Sequence, residues 1–124
     1  MFKNGLPHGP GMRIFPKGNV YNGDWDAGDL HGEGRMEFID GGYYQGGWHR
    51  DKRHGQGEGV YTDGDAYRGS FEHGKRKGQG LMTYKAGGYY DGEWKDEMKS
   101  GYGKHLQANG SFYEGHYVNN LRHG

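Results

Sequence analysis

Cysteine is absent from the chain, so no disulfide can staple it and no thiolate can hold zinc, a composition compatible with a cytoplasmic protein. Proline occurs three times, and Leu, Ile, Val and Phe together fill only fifteen of 124 positions. That scarcity, taken alone, is the mark of a segment too poor in apolar surface to fold. No stretch free of both Gly and Pro exceeds eight residues, the length reached at Glu93–Ser100 and at His116–His123. A helix needs roughly 10–12 residues and a membrane-spanning one about 20, so both are excluded. An excess of either charge is also missing, with sixteen basic against sixteen acidic residues, which removes the basic footprint expected of a nucleic-acid binder. Met1 to Gly11 shows no secretory pattern.

What the chain has instead is 28 glycines and 19 aromatic rings, and they are ordered. Tyr21, Tyr44, Tyr67, Tyr90 and Tyr113 follow one another at a constant spacing of 23 residues. Two residues after each comes a glycine (Gly23, Gly46, Gly69, Gly92, Gly115), and four after it a ring (Trp25, Trp48, Phe71, Trp94, Tyr117). Paired glycines follow at Gly32/Gly34, Gly55/Gly57, Gly78/Gly80 and Gly101/Gly103, with Gly124 opening a further pair, and a turn glycine closes each unit at Gly41, Gly64, Gly87 and Gly110. The register extends back through Gly18, Gly11, Gly9, His8 and Gly5 and gives Phe2 the ring position. A fixed period of this length is the signature of a repeat array. It divides the chain into a partial repeat 1–20, full repeats 21–43, 44–66, 67–89 and 90–112, and a partial repeat 113–124, which reads as a piece of a longer protein.

The segments YNGDWDAGDLHGEG at 21–34 and YQGGWHRDKRHGQGEGVYTDG at 44–64 resemble the MORN (membrane occupation and recognition nexus) repeat, Y-x-G-x-W-x-x-G-x-x-H-G-x-G, and the resemblance covers the whole chain. The motif histidine is replaced by Lys77 and Ser100, and the loop glycine by Asp51, Glu97 and Asn120, so neither position is an obligate functional group.

Within each unit Tyr, Gly and Trp fall at alternate positions and therefore on one face of a strand. The second segment alternates as well, with Met36/Phe38, Gly59/Tyr61, Met82/Tyr84 and His105/Gln107 sharing the parity of the paired glycines. A three-residue turn with Gly in the left-handed place then sets Met36 opposite Tyr44, Gly34 opposite Gly46 and Gly32 opposite Trp48. Bare glycines face each other in a band that the rings can cover. The expected fold is all-β: an elongated, single-layer array of antiparallel β-hairpins, one hairpin per repeat. Its rings Tyr21, Trp25, Tyr44, Trp48, Tyr67, Phe71, Tyr90 and Trp94 are expected to line a surface or groove for a protein partner, as the resemblance to MORN arrays implies.

Chemical motifs do not support catalysis. His8, His31, His54 and His123 share one repeat position and so should lie roughly 10 Å apart, too far for one metal, whereas His49, His73, His105 and His116 show no ligand spacing in the sequence. Gly69–Lys75 matches the start of a P-loop but has Arg76 where Ser or Thr is needed. Asn109-Gly110-Ser111 reads as a turn rather than a glycosylation acceptor. The expectation is a protein that is not an enzyme, with no metal and no cofactor.

Two features go beyond the repeat. Arg50, Lys52, Arg53, Lys75, Arg76 and Lys77 occupy two successive connecting loops and form either a solvated edge or a patch giving weak, salt-sensitive attachment to anionic phospholipid. Tyr113, Tyr117 and Leu121 are expected on one terminal strand whose free edge could pair with a second copy. Three functions are thus open: a protein-binding scaffold that also dimerises through its C-terminal end, a peripheral phospholipid-binding module, or an accessory domain of an attached enzyme. By resemblance, such modules reside in cytoskeletal, ciliary or membrane-associated assemblies.

Overall fold

The computed structural model describes residues 2–123, with side chains described from Asn4 to Arg122; Gly124 and the side chains of Phe2 and His123 lie outside the described residues. The described chain forms strands and turns with no helix. The strands are β1 (Phe2–Lys3), β2 (Leu6–Pro7), β3 (Gly9–Ile14), β4 (Val20–Asp26), β5 (Asp29–Phe38), β6 (Gly42–His49), β7 (Lys52–Val60), β8 (Ala66–Glu72), β9 (Lys75–Thr83), β10 (Gly88–Lys95), β11 (Met98–Gln107), β12 (Phe112–Val118) and β13 (Leu121–His123). From β3 to β13 they make one open antiparallel sheet in which every strand pairs with its sequence neighbours, and β1 with β2 forms a separate small hairpin.

The glycines set the register. Met36 pairs with Tyr44, Gly34 with Gly46 and Gly32 with Trp48, because the turn at 39–41 holds three residues and Gly41 (φ +100°) donates its N–H to the Phe38 carbonyl. At the opposite side of the sheet the hairpin loops take two residues and a bulge, so that Gly23 pairs with Gly34 while Trp25 pairs with Leu30. The two connections alternate along the chain. Their combined effect is an unbroken row of paired glycines, Gly11, Gly23, Gly34, Gly46, Gly57, Gly69, Gly80, Gly92, Gly103 and Gly115, crossing β3 to β12.

The row makes room for rings. A Cβ at Gly34 would fall 2.1 Å from the Tyr21 hydroxyl oxygen, and one at Gly57 or Gly80 would meet the Tyr44 or Tyr67 hydroxyl at the same distance. Each Tyr lies across the next strand's glycine and donates its O–H to a carbonyl three residues on: Asp24, Gly47, Ser70 and Glu93 at 2.8–2.9 Å. Trp25, Trp48 and Trp94 donate their indole N–H back to the carbonyls of Gly11, Gly34 and Gly80. Aromatic residues thus supply both the apolar area and the partners for backbone groups that a single sheet leaves exposed on its face.

Consecutive rings meet edge to face. Trp25, Tyr21, Trp48, Tyr44, Phe71, Tyr67, Trp94, Tyr90, Tyr117 and Tyr113 form one continuous zigzag with centroid separations of 5.1–5.6 Å and interplanar angles of 81–90°. Each such contact is worth about 0.5–1.5 kcal/mol beyond the area buried. Tyr21, Tyr67 and Tyr90 have no exposed surface, and their burial raises the phenol pKa, that of Tyr21 to about 12. All three therefore stay protonated, and donating, at any physiological pH.

Phe71 is the one member of the Trp positions in full repeats that lacks a ring N–H, so the Gly57 carbonyl misses the bond that Gly34 and Gly80 receive. Phe71→Trp should restore it and stabilise the array by about 1 kcal/mol, read as a rise of a few degrees in the thermal midpoint. An unchanged or lower midpoint would show that this carbonyl is already satisfied or that the larger ring does not fit.

Candidate functional site

The buried zigzag corrects one expectation. Tyr21, Trp25, Tyr44, Trp48, Tyr67, Phe71, Tyr90 and Trp94 are 0–7% exposed, so they are the core of the protein and cannot be its contact surface. Alternation alone gives their face. It does not show that rings from adjacent repeats close over one another.

Above them lie two further rows with the same 23-residue spacing. Phe15, Phe38, Tyr61 and Tyr84 are half-buried and pack against the core from the turn side. Facing them from the loop side are Leu30, Arg53, Arg76 and Lys99. Arg53 stands over the Tyr44 and Phe71 rings, Arg76 over Tyr61, Tyr67 and Trp94, and the Lys99 ammonium over Tyr84, Tyr90 and Tyr117, all within 6 Å of the centroids. Such placements favour a cation electrostatically. Arg122 continues the row over Tyr113. Between the two rows runs a groove with three cavities: about 500 Å³ bounded by Arg13, Phe15, Trp25, Leu30 and Met36, about 240 Å³ by Phe38, Arg53 and Tyr61, and about 470 Å³ by Tyr61, Arg76, Met82, Tyr84 and Lys99.

The groove therefore has a more apolar end at Leu30 and a charged end at Lys99, where Arg76 and Lys99 share the cavity wall with Asp63, Asp65 and Glu97. Arg76 is partly neutralised by Glu97 at 3.3 Å. Lys99 has no acidic partner among the described residues, and desolvation, then the nearby Arg122, lowers its pKa below the ordinary lysine value.

This arrangement also corrects the expected basic cluster. Of the six residues, Arg53 and Arg76 have the parity of the rings and enter the groove, while Arg50, Lys52, Lys75 and Lys77 are exposed on the loop side, with Lys77 paired to Glu72 at 3.3 Å. Strand alternation separates neighbours such as Lys52 and Arg53 onto opposite faces. Lys99 and Arg122 were missed because they lie outside the two basic loops, although their spacing from Arg76 gives them away.

The C-terminal expectation is corrected in part. Tyr113 and Tyr117 lie on β12, but Leu121 belongs to β13, which turns back at Asn119–Asn120 and pairs with the end of β12 through Val118 and Leu121. Tyr117 is buried against Tyr90 and Tyr113 and is not free to meet another chain. Only the start of β12, up to Gly115, lacks a partner on that side among the described residues.

The loops that replace glycine with Asp51, Glu97 and Asn120 have a structural purpose. Backbone N–H groups of Gly28, Asp51, Gly74, Glu97 and Asn120 each donate to the carbonyl 21 residues earlier, tying successive hairpins together at the loop side. Where a side chain is present its oxygen accepts the N–H of Leu30, Arg76 or Lys99 in return.

A family model described as the MORN repeat matches the chain in six segments, residues 1–20, 21–43, 44–66, 67–89, 90–112 and 113–124. No curated protein matches it.

Proposed function

The chain belongs to the MORN repeat family, a non-catalytic class of repeat scaffold, and from that premise we propose that it holds an extended or helical segment of a protein partner in the groove above its aromatic core. The observation carrying this reading is the second ring row, Phe15, Phe38, Tyr61 and Tyr84, which packs on the core yet keeps accessible edges beside cavities totalling several side chains' volume. Accessible aromatics flanked by cations are the composition of binding hot spots. The loop side supports a membrane-surface role less well. Once Arg53 and Arg76 are assigned to the groove and Lys77 to Glu72, the cations of that cluster without an acidic partner among the described residues are Arg50, Lys52 and Lys75.

A selection of random peptides on the immobilised chain tests the proposal. Selected peptides should bind at least tenfold more weakly to the Tyr61→Ser/Tyr84→Ser variant, about 1.4 kcal/mol or more, and equally well to Arg68→Gln on the opposite face. Peptides that lose affinity only with Arg68→Gln would place the binding surface on the other side of the sheet.

A further inference from the structure

The other face of the sheet carries a line of imidazoles that the sequence does not announce. His31 on β5, His49 on β6, His54 on β7 and His73 just after β8 follow one another across four adjacent strands, with ring centroids 5.1, 5.5 and 6.0 Å apart. The rings are brought together not by the histidines that share a repeat position but by His49, which shows no ligand spacing in the sequence. His31 and His54 share one repeat position, but His49 stands between them, at a position that other repeats fill with Asp26, Glu72, Lys95 and Val118. The repeat does not demand a histidine there.

Nor does local packing. Among the described residues the His31, His49 and His54 side chains make no hydrogen bond and no ion pair, while His73 has only Glu72 at 3.8 Å. Their nitrogen lone pairs are free, and His49 and His54 are open to solvent. Two imidazoles sharing a tetrahedral ion through bonds of about 2.0–2.1 Å hold their ring centres roughly 5 Å apart. The separations of His49 from His31 and from His54 match that requirement. No three His, Asp or Glu side chains among the described residues converge on one point, so water would complete the coordination.

We propose that His49, with His31 or His54 as the second ligand, forms a surface site for a divalent transition-metal ion of the imidazole-binding class, zinc or copper. The site needs neutral rings. Metal therefore competes with protons for the imidazole nitrogens, and binding weakens as the pH falls below the ordinary histidine range. Arg50, Lys52, Lys75 and Lys77 are the fixed positive groups of the neighbouring loops, Lys77 being paired with Glu72, and they disfavour a tightly held cation. The expected site is therefore of modest affinity, metal exchanges freely with solution, and copper binds more tightly than zinc in keeping with the general order for nitrogen ligands.

Titration of the untagged chain with zinc chloride in a calorimeter, at about pH 7.5 and about pH 5.5 on either side of the ordinary imidazole value of about 6.5, provides the test. Saturable binding is expected at the higher pH and its loss at the lower. His49→Asn should weaken binding at least tenfold, whereas His116→Asn, whose ring lies against Tyr102 on a distant strand, should leave it unchanged. Circular dichroism of both variants should match the parent, since His49 is exposed at a strand end. Equal affinity of the parent and His49→Asn, binding that ignores pH, or no binding in large zinc excess would each overturn the site.

Discussion

Gly46→Val will lower the stability of the array by about 3 kcal/mol or more, the upper range of overpacking, whereas Gly28→Asn will change it by less than about 0.5 kcal/mol. A Cβ at Gly46 would fall 2.5 Å from the Gly57 Cα and 2.6 Å from the Gln56 carbonyl oxygen. Both are backbone atoms fixed by the β6–β7 ladder, so no rotamer change relieves the clash, and the two remaining methyl groups would displace the Tyr44 ring as well. Gly28 (φ +91°) occupies the loop place that Asp51, Glu97 and Asn120 hold with φ near +70°, and a Cβ there meets only Leu6, at 3.6 Å. No gain is expected either, because the residue 21 positions earlier is Pro7, which has no N–H for the new side chain to accept. Urea denaturation compares the two. Similar shifts of the midpoint would mean that the row of paired glycines is not the constraint.

Tyr67→Ala should cost about 3–5 kcal/mol, the range for removing a buried aromatic ring. Tyr67 is fully buried, meets Phe71 and Trp94 edge to face, covers Gly80 and satisfies the Ser70 carbonyl. Its loss breaks the zigzag between the third and fourth full repeats. Because each repeat contacts only its neighbours, the damage should be local in hydrogen exchange: β8 and β9 lose protection and β4 keeps it. Tyr113→Ala, at a ring that is half-exposed and meets only Tyr117 in the zigzag, should cost markedly less. Equal costs at the two positions would contradict a core built ring upon ring.

The register was legible in the residues because period and parity are both exact integers. With 23 residues per unit and three in each turn, Gly34 must face Gly46, and the structure places it there. Burial was not legible. A single sheet with one row of rings could leave them open, and only the edge-to-face closure of Tyr21 on Trp48, a contact 27 positions apart, shows that they are covered. Residues separated across strands escaped for a related reason. His31 and His49 are 18 apart and His49 and His54 five apart, two unequal steps that together make the period, so neither appears as a repeat. In the basic loops adjacency in sequence is not adjacency in space, because Lys52 and Arg53, successive on β7, face opposite sides.

The strand order from β3 to β13 has a mechanical meaning. Strands in an antiparallel sheet donate their hydrogen bonds at right angles to their own direction, so here every ladder bond points along the axis on which the repeats succeed one another. Tension applied between the two ends of the sheet pulls in line with those bonds and loads the outermost pair first, opening the array like a zipper, one strand after another. Tension applied along the strands, from the turn side to the loop side, instead loads all the bonds of a ladder together and meets far greater resistance. An array of this design is compliant along its length and stiff across it, and a partner seated in the groove, spanning several repeats, would splint it in the direction in which it is weakest.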